Sequence, residues 1–208
     1  MIPLRPAPAR TIEQEILERF RKAANSPEGL FRYPTGREGL RGLGYPAGFV
    51  DALPDRVAQC YCGVGNPFMP LAPEAGLRVL DVGCGAGVDA LAAAYFVGSR
   101  GRVTGLEFSP HMLARAQENL RLCNAGNISL LRAAAEKLPF ADASFDLLIS
   151  NGVYNLVQDK AQALAEARRV LRPGGLFQVA DQILDSDQAP SCPLPAPGQL
   201  PSSSGWAC

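Results

Sequence analysis

Short apolar runs and helical stretches alternate along the later part of this chain. Runs of strand type fall at 78–82, 101–107, 128–133, 145–151 and 175–184. Between them helices are predicted over 88–97, 110–123 and 160–171, with a short turn near 135–138. Local signals mark the boundaries. Ser109-Pro110 supplies an N-cap and a first-turn proline. Arg172-Pro173-Gly174-Gly175 stops the last helix and turns the chain into the last strand. Strand–helix alternation demands right-handed crossovers and a parallel sheet, so the expected fold class is α/β.

The flanks read differently. A helix is predicted over 11–24, where Thr11 and Gln14 fit a capping box and Ile12, Ile16 and Phe20 recur at one-turn spacing. Residues 26–48 are rich in Gly and Pro and are expected to wind over the core. A short helix over 49–58 is interrupted by Pro54. After Leu184 the periodicity fails. Five prolines and a Ser-Ser-Ser-Gly stretch predict a loop or tail. The chain thus divides into an N-terminal helix and cap (1–67), an α/β domain (68–184) and a Pro/Ser-rich tail (185–208).

Composition narrows the partners. The chain has 208 residues, 47% of them hydrophobic, with 20 basic and 20 acidic side chains. No basic excess exists to bind a phosphate backbone, so no nucleic-acid partner is expected. No apolar run approaches the roughly 20 residues of a membrane span, and the N-terminus lacks a signal-type apolar stretch, so no membrane partner is expected. Six irregularly placed cysteines read as reduced thiols, which suits a cytoplasmic location. The oligomeric state is not written in the sequence.

The chemistry starts where the first strand ends. Leu77-Arg78-Val79-Leu80-Asp81-Val82 runs into Gly83-Cys84-Gly85-Ala86-Gly87, with glycines at alternate positions, and a helix follows. A strand, a tight Gly loop and a helix N-terminus can hold a nucleotide-like cofactor against backbone N–H groups. A dinucleotide fingerprint would put its last glycine at 88, which is Val88. The order here is D-x-G-x-G-x-G, which resembles the first motif of class I S-adenosylmethionine (SAM) dependent methyltransferases. A nicotinamide-dependent reductase is disfavoured by the same residues.

That resemblance implies a Rossmann-like, doubly wound, mostly parallel sheet of order 3-2-1-4-5, with the family's final strands missing. It also implies SAM as cofactor, held by Asp81, Gly83, Cys84, Gly85, Gly87, Glu107, Phe108, Met112, Ala135, Glu136 and Asn151. Glu107 ends the second strand, 20 residues after Gly87, where a carboxylate can accept both ribose hydroxyls. Ala135-Glu136-Lys137-Leu138-Pro139-Phe140 resembles the segment that borders the adenine; Glu136 is either a polar contact there or a helix-start acid. Cys84 reads as a small packing residue. Asn151 and Tyr154 follow the fourth strand, whose C-terminal end should face the ligand. Tyr154 lies either near the acceptor or in the core.

A finer resemblance runs from Gly44 to Asp181. Gly44-Tyr45-Pro46, Leu53-Pro54, Gly63-Val64-Gly65-Asn66-Pro67, Asp159-Lys160 and Arg168-Arg169-Val170-Leu171-Arg172-Pro173-Gly174-Gly175 together resemble arsenite methyltransferases. That family binds As(III) through cysteine thiolates, in keeping with the thiophilicity of a soft centre. This chain departs from the pattern. Val64 and Gly152 stand where the family has cysteines, and the third family cysteine would fall at or just past Cys208, after Trp206. Cys60 and Cys62 are substitute ligand candidates; otherwise they are small, half-buried residues. Cys123 and Cys192 have no assigned role, and His111, the single histidine, reads as a surface residue rather than a general base.

The expected function is methyl transfer from SAM to thiolate-bound As(III), a metalloid substrate. The alternatives are a small organic acceptor (a quinone-type carbon or a hydroxyl) and a non-catalytic SAM-binding fragment. The missing final strands lead to the expectation of a truncated chain. An in-frame UGA meant for selenocysteine is one route to it; a frameshift or a gene-boundary error is another.

Overall fold

The computed structural model describes residues 11–183. Seven helices and five strands follow one another as α1 (Ile12–Ala23), α2 (Gly36–Gly42), α3 (Ala47–Ala52), α4 (Asp55–Ala58), β1 (Arg78–Val82), α5 (Val88–Val97), β2 (Arg102–Glu107), α6 (Pro110–Leu122), β3 (Ile128–Arg132), β4 (Phe145–Asn151), α7 (Lys160–Val170) and β5 (Leu171–Ala180). The strands pair in parallel, as the α/β pattern predicts, in the order β3-β2-β1-β4-β5 that the family resemblance implies. The strand order reverses at β1, with β2 and β3 added on one side and β4 and β5 on the other, and this opens a crevice at the strand C-termini.

Successive side chains point to opposite sides, and in the central strands β1, β2 and β4 most of both sets are buried, whereas the outer strands β3 and β5 are more exposed. Val79, Val103, Leu147 and Ile149 pack with α5 and the N-terminal cap. Leu80, Val82, Leu106 and Leu148 pack with Ala163, Ala167 and Val170 of α7. Helix α5 is apolar apart from Asp89 and is buried over most of its surface, with Tyr95 exposed. The cap shares this core: Leu40, Tyr45, Phe49, Val50 and Val57 join the cluster that contains Val79 and Leu91.

Local expectations hold at several ends. The Thr11–Gln14 capping box forms in both directions, and the Ser109 hydroxyl caps α6 ahead of Pro110. The break at Pro54 separates α3 from α4. Two expectations are corrected. The 26–48 stretch contains α2, whose Gly-rich sequence hides it; Leu40 is fully buried, and tertiary packing overrides the weak propensity. The turn expected at 172–175 lies inside β5, which begins at Leu171. Phe145 pairs with Leu171 and Leu147 with Leu176, so Arg172 to Gly175 bulge out of the ladder, helped by a left-handed Gly174. The strand ends at Ala180, and the 185–208 tail lies outside the described residues. No helix among the described residues is long and apolar enough to cross a membrane.

Leu148 is fully buried in β4 between its two neighbours, whereas Leu131 on the outermost strand β3 is 38% exposed. Leu148→Ala is expected to cost about 3 kcal/mol of unfolding free energy and Leu131→Ala under about 1 kcal/mol, as read from urea midpoints.

Candidate functional site

A cleft of about 1170 Å³ opens at the C-terminal ends of β1, β2 and β4. Its floor is the Gly83–Ala86 loop. Its walls come from Glu107 to Ser109, Ala133 to Glu136 and Asn151 to Val153, and its roof from α1, Leu30 to Tyr33 and Cys60 to Val64.

The floor is fixed from beneath. The N–H groups of Gly83 and Cys84 both donate to the Leu106 carbonyl, at 2.7 and 2.9 Å. Asn119 of α6 donates its side-chain amide to the Ala86 carbonyl at 2.9 Å. Gly83 has φ +73°, and a Cβ there would overlap Val153 Cγ2, so no other residue fits. Gly87, also left-handed, is the N-cap of α5. Cys84 Sγ fills the space beside Gly105, where a Cβ would come within 2.9 Å of it.

Glu107 joins the floor to the wall. Its Oε2 accepts the Gly85 N–H at 2.9 Å and its Oε1 the Ser109 N–H at 2.7 Å. Burial pushes its pKa up, and the backbone donors of Ser109, Gly85 and Phe108 oppose that shift. A carboxylate has about four acceptor sites, so capacity for a further donor remains. Two more buried acids stand nearby. Asp81 lies beneath the loop, 1% exposed, and its Oδ2 has no partner among the described residues. Burial raises its pKa well above the ordinary range, and Asp89 and Glu107 raise it further. Asp89, at the start of α5, is also raised by burial, against the hydrogen bonds of Tyr45 and Asn151. Among the described residues no ion pair reaches any of the three. The floor is therefore a concentration of anionic capacity without a protein cation.

Asn151 ties the roof to the sheet. Its Oδ1 accepts the N–H groups of Val64 and Gly65 at 2.9 and 3.1 Å. Its Nδ2 donates to the Gly65 carbonyl at 2.7 Å and to Asp89 Oδ2 at 3.0 Å. The Tyr45 hydroxyl donates to Asp89 Oδ1, and the Tyr61 hydroxyl to the Gly65 carbonyl. Gly63 must lack a side chain because a Cβ would overlap the Asn151 amide.

The residues singled out in the sequence are distributed as follows. Gly83, Cys84, Gly85, Glu107, Phe108, Met112, Ala135, Glu136 and Asn151 all border the cleft, whereas Asp81 and Gly87 lie outside its lining. Tyr154 also lies outside it; the ring packs edge-on against Phe177 at 5.3 Å, and its hydroxyl is buried without a partner among the described residues. Cys60 and Cys62 both border the cleft. Cys60 is buried and its thiol donates to the Arg56 carbonyl. Cys62 is half-buried, with its pKa pushed up to about 12 by burial and by the Glu107 and Asp89 carboxylates. Val64 and Gly152 meet: a Cβ on Gly152 would lie 3.2 Å from Val64 Cγ1. His111 is exposed. Cys192, Trp206 and Cys208 lie outside the described residues. Among the described residues no group of three or more His, Cys, Asp or Glu could hold a metal ion.

Sequence reasoning missed Tyr45, Tyr61 and Asp89 as members of one network. The available signal was Asp89 itself, an acid two residues past the last glycine of the loop in an otherwise apolar helix.

A family described as a methyltransferase domain matches residues 73–193. An arsenite methyltransferase from Halobacterium salinarum is 39% identical over 151 residues, covering 72% of this chain and 38% of that protein. A demethylmenaquinone methyltransferase from Listeria welshimeri is 40% identical over 109 residues, covering 52% of this chain and 46% of that protein. This chain therefore spans less than half the length of either relative. Among solved structures, an arsenic(III) S-adenosylmethionine methyltransferase from Chlamydomonas reinhardtii superposes with a TM-score of 0.59 at 35% identity, covering 75% of this chain and 53% of that one. A SAM-dependent methyltransferase from Aquifex aeolicus superposes with a TM-score of 0.50 at 26% identity, covering 52% and 57%.

The buried acids predict a pH dependence. Asp81 keeps its proton in the folded chain at pH values where the unfolded chain has lost it. The associated stability is fully present below about pH 4 and is lost as pH rises through the raised folded value. Asp81→Asn removes that loss. The urea midpoint of the ligand-free variant, relative to the parent, should rise as pH increases above about 4. A constant difference across the range contradicts a proton held on Asp81.

Proposed function

The chain belongs to the class I SAM-dependent methyltransferases, and from that membership we propose that it transfers methyl groups from SAM to a trivalent arsenical carried by thiols. The observation that carries the SAM half is the set of three buried acids, Asp81, Asp89 and Glu107, under and beside a glycine loop that admits no side chain at Gly83. A ligand with an ammonium and a sulfonium suits this group of acids, which no ion pair reaches among the described residues.

Bound SAM supplies an electrophilic methyl group on its sulfonium. The chain's own residues then have separate tasks. The Gly83–Ala86 loop, without side chains at Gly83 and Gly85, lets the amino-acid end approach the backbone closely, while the N–H groups of Gly83, Cys84 and Gly85 stay committed to Leu106 and Glu107. Glu107, already fixed by two backbone donors, has lone pairs left for a ribose diol. Ala135 and Glu136 border the place of the base. Roof and wall exclude water and align donor and acceptor, which is the main contribution asked of an enzyme when the acceptor already has a reactive lone pair.

The arsenical half rests on Cys62. Of the three cysteines bordering the cleft it alone is half-buried rather than buried, and its sulfur lies within electrostatic reach of the Glu107 carboxylate. A protonated thiol suits this role. Condensation of S–H with As–OH forms the S–As bond and releases water, so no thiolate need exist beforehand. Similarity to the Halobacterium arsenite methyltransferase over 151 residues, against 109 for the demethylmenaquinone enzyme, supports the same choice. One observation favours an organic acceptor instead. Val64 packs over Gly152, so that end of the cleft is apolar and lacks thiols.

The test is the full chain with methyl-labelled SAM, arsenite and a small thiol. Label in methylarsenicals, reduced about tenfold or more in Cys62→Ser, is expected. Label in a quinol or a phenol and none in arsenic overturns the arsenical and establishes the organic acceptor. Independently, Glu107→Gln is expected to raise the SAM Kd about tenfold by calorimetry, from loss of a charge-assisted bond.

A further inference from the structure

Behind the cleft wall, α7 presents Gln162, Glu166 and Arg169, spaced four and three residues apart and hence on one face of the helix. All three reach main-chain atoms of the segment that follows β3. Gln162 Nε2 donates to the Glu136 carbonyl at 3.3 Å. Glu166 Oε2 accepts the Leu138 N–H at 2.8 Å. Arg169 donates to the Leu138 carbonyl at 2.9 Å, to the Phe140 carbonyl at 2.7 Å and to the Asp142 carboxylate at 2.8 Å. The Arg169 carbonyl in turn accepts the Ala143 N–H at 3.0 Å. Residues 136, 138, 140 and 142 are thus held in succession from one side.

The grip is rigid where it matters. Glu166 and Arg169 form a two-pronged pair at 2.7 and 2.9 Å, which fixes both side chains before either meets the segment. Arg169 keeps the Glu166 carboxyl below the usual range, so the pair stays ionised. The segment itself is neither helix nor strand, and its own main chain contributes two short-range bonds, Lys137 to Ala134 and Phe140 to Leu138. Its geometry therefore comes mainly from α7 and from the burial of Ala135 and Leu138. The near end of this segment, Ala133 to Glu136, is a wall of the cleft.

We propose that the Gln162–Glu166–Arg169 face of α7 is a splint that sets the cleft wall at Ala133–Glu136, and that Arg169 is a positioning residue for the adenosine half of SAM. The splint stands on the hydrogen bonds alone; the adenosine role rests on the reading of the cleft as a SAM site. Arg169 touches no part of the cleft lining itself and acts through Leu138 and Phe140.

Hydrogen exchange on the ligand-free full chain tests the splint. In Arg169→Ala the amides of 136–143 are expected to exchange about tenfold faster, while those of β1 and β4 stay unchanged. Unchanged exchange in 136–143 overturns the splint. Calorimetry with SAM and with 5′-methylthioadenosine, which lacks the amino-acid end, tests the positioning role. Both Kd values should rise by a common factor of about ten in Arg169→Ala, with Arg169→Lys in between. Faster exchange with unchanged Kd values overturns the positioning role. Should Arg169→Ala fail to fold, Gln162→Ala removes an exposed side chain and is read on the same two measurements, with about threefold effects expected. A parent chain that binds neither SAM nor 5′-methylthioadenosine refutes the SAM reading and leaves the splint to be judged by exchange.

Discussion

The side chain of Asn151 is the constraint on which the site depends. It sits at the C-terminal end of β4, and both of its ends are committed: Oδ1 to the N–H groups of Val64 and Gly65, Nδ2 to the Gly65 carbonyl and Asp89. The cap has no strand in the sheet, so this amide and the tyrosines around it set where the roof meets the floor. From that register follow the place of Cys62 beside the cleft, the contact of Val64 with Gly152, and the ionisation of Asp89. The network is satisfied at nearly every atom, which is the condition under which buried polar groups specify one arrangement instead of several.

The floor beneath it works in the opposite sense. Three acids are buried without an ion pair, and burial raises all three above their ordinary values. Such a cluster opposes folding at neutral pH and rewards any cation that enters, so stability and ligand affinity draw on the same groups. Glu107 is the least opposed, since backbone donors already meet part of its charge, and it is the acid that borders the cleft directly. Asp81 is the most opposed and lies outside the lining, where it acts through the field and through the start of α5 and not by contact. Positional chemistry of this kind separates two acids that the sequence motif treats alike.

What the sequence made legible was whatever local covalent geometry dictates. Gly83 and Gly87 take left-handed backbone and Ser109-Pro110 caps a helix, each decided within a few residues, while alternation of strand and helix implies a parallel sheet and the resemblance supplies its order. What it concealed was decided by distant partners. Helix α2 forms from a Gly-rich segment because Leu40 is buried by the rest of the cap. The 172–175 stretch reads as a turn, yet β4 captures Leu171 before it and Leu176 after it, so one strand contains both. Tyr154 could face either way from its spacing, and Phe177, 23 residues later, supplies the packing partner on the core side. Nothing local to Glu166 and Arg169 announces that their partners are carbonyl and amide groups of residues 138 and 140.

The contact between Val64 and Gly152 couples the roof of the cleft to its wall. The two positions belong to separate segments, 88 residues apart, and are brought together by Asn151, which precedes one and bonds the backbone of the other. Gly152 has φ +70°, so any side chain there carries backbone strain on the order of 1 kcal/mol before it meets a neighbour. The neighbour is a branched apolar side chain that occupies the space a Cβ would need. Changes at 64 and 152 are therefore coupled: a larger group at one requires a smaller or more pliant one at the other, and their energies will not add. Cys62 borders the cleft two residues before Val64 on the same roof segment. The chemistry offered at this end of the cleft therefore rests on one thiol and one apolar contact, both positioned by the roof that Asn151 anchors, and not on the sheet beneath them.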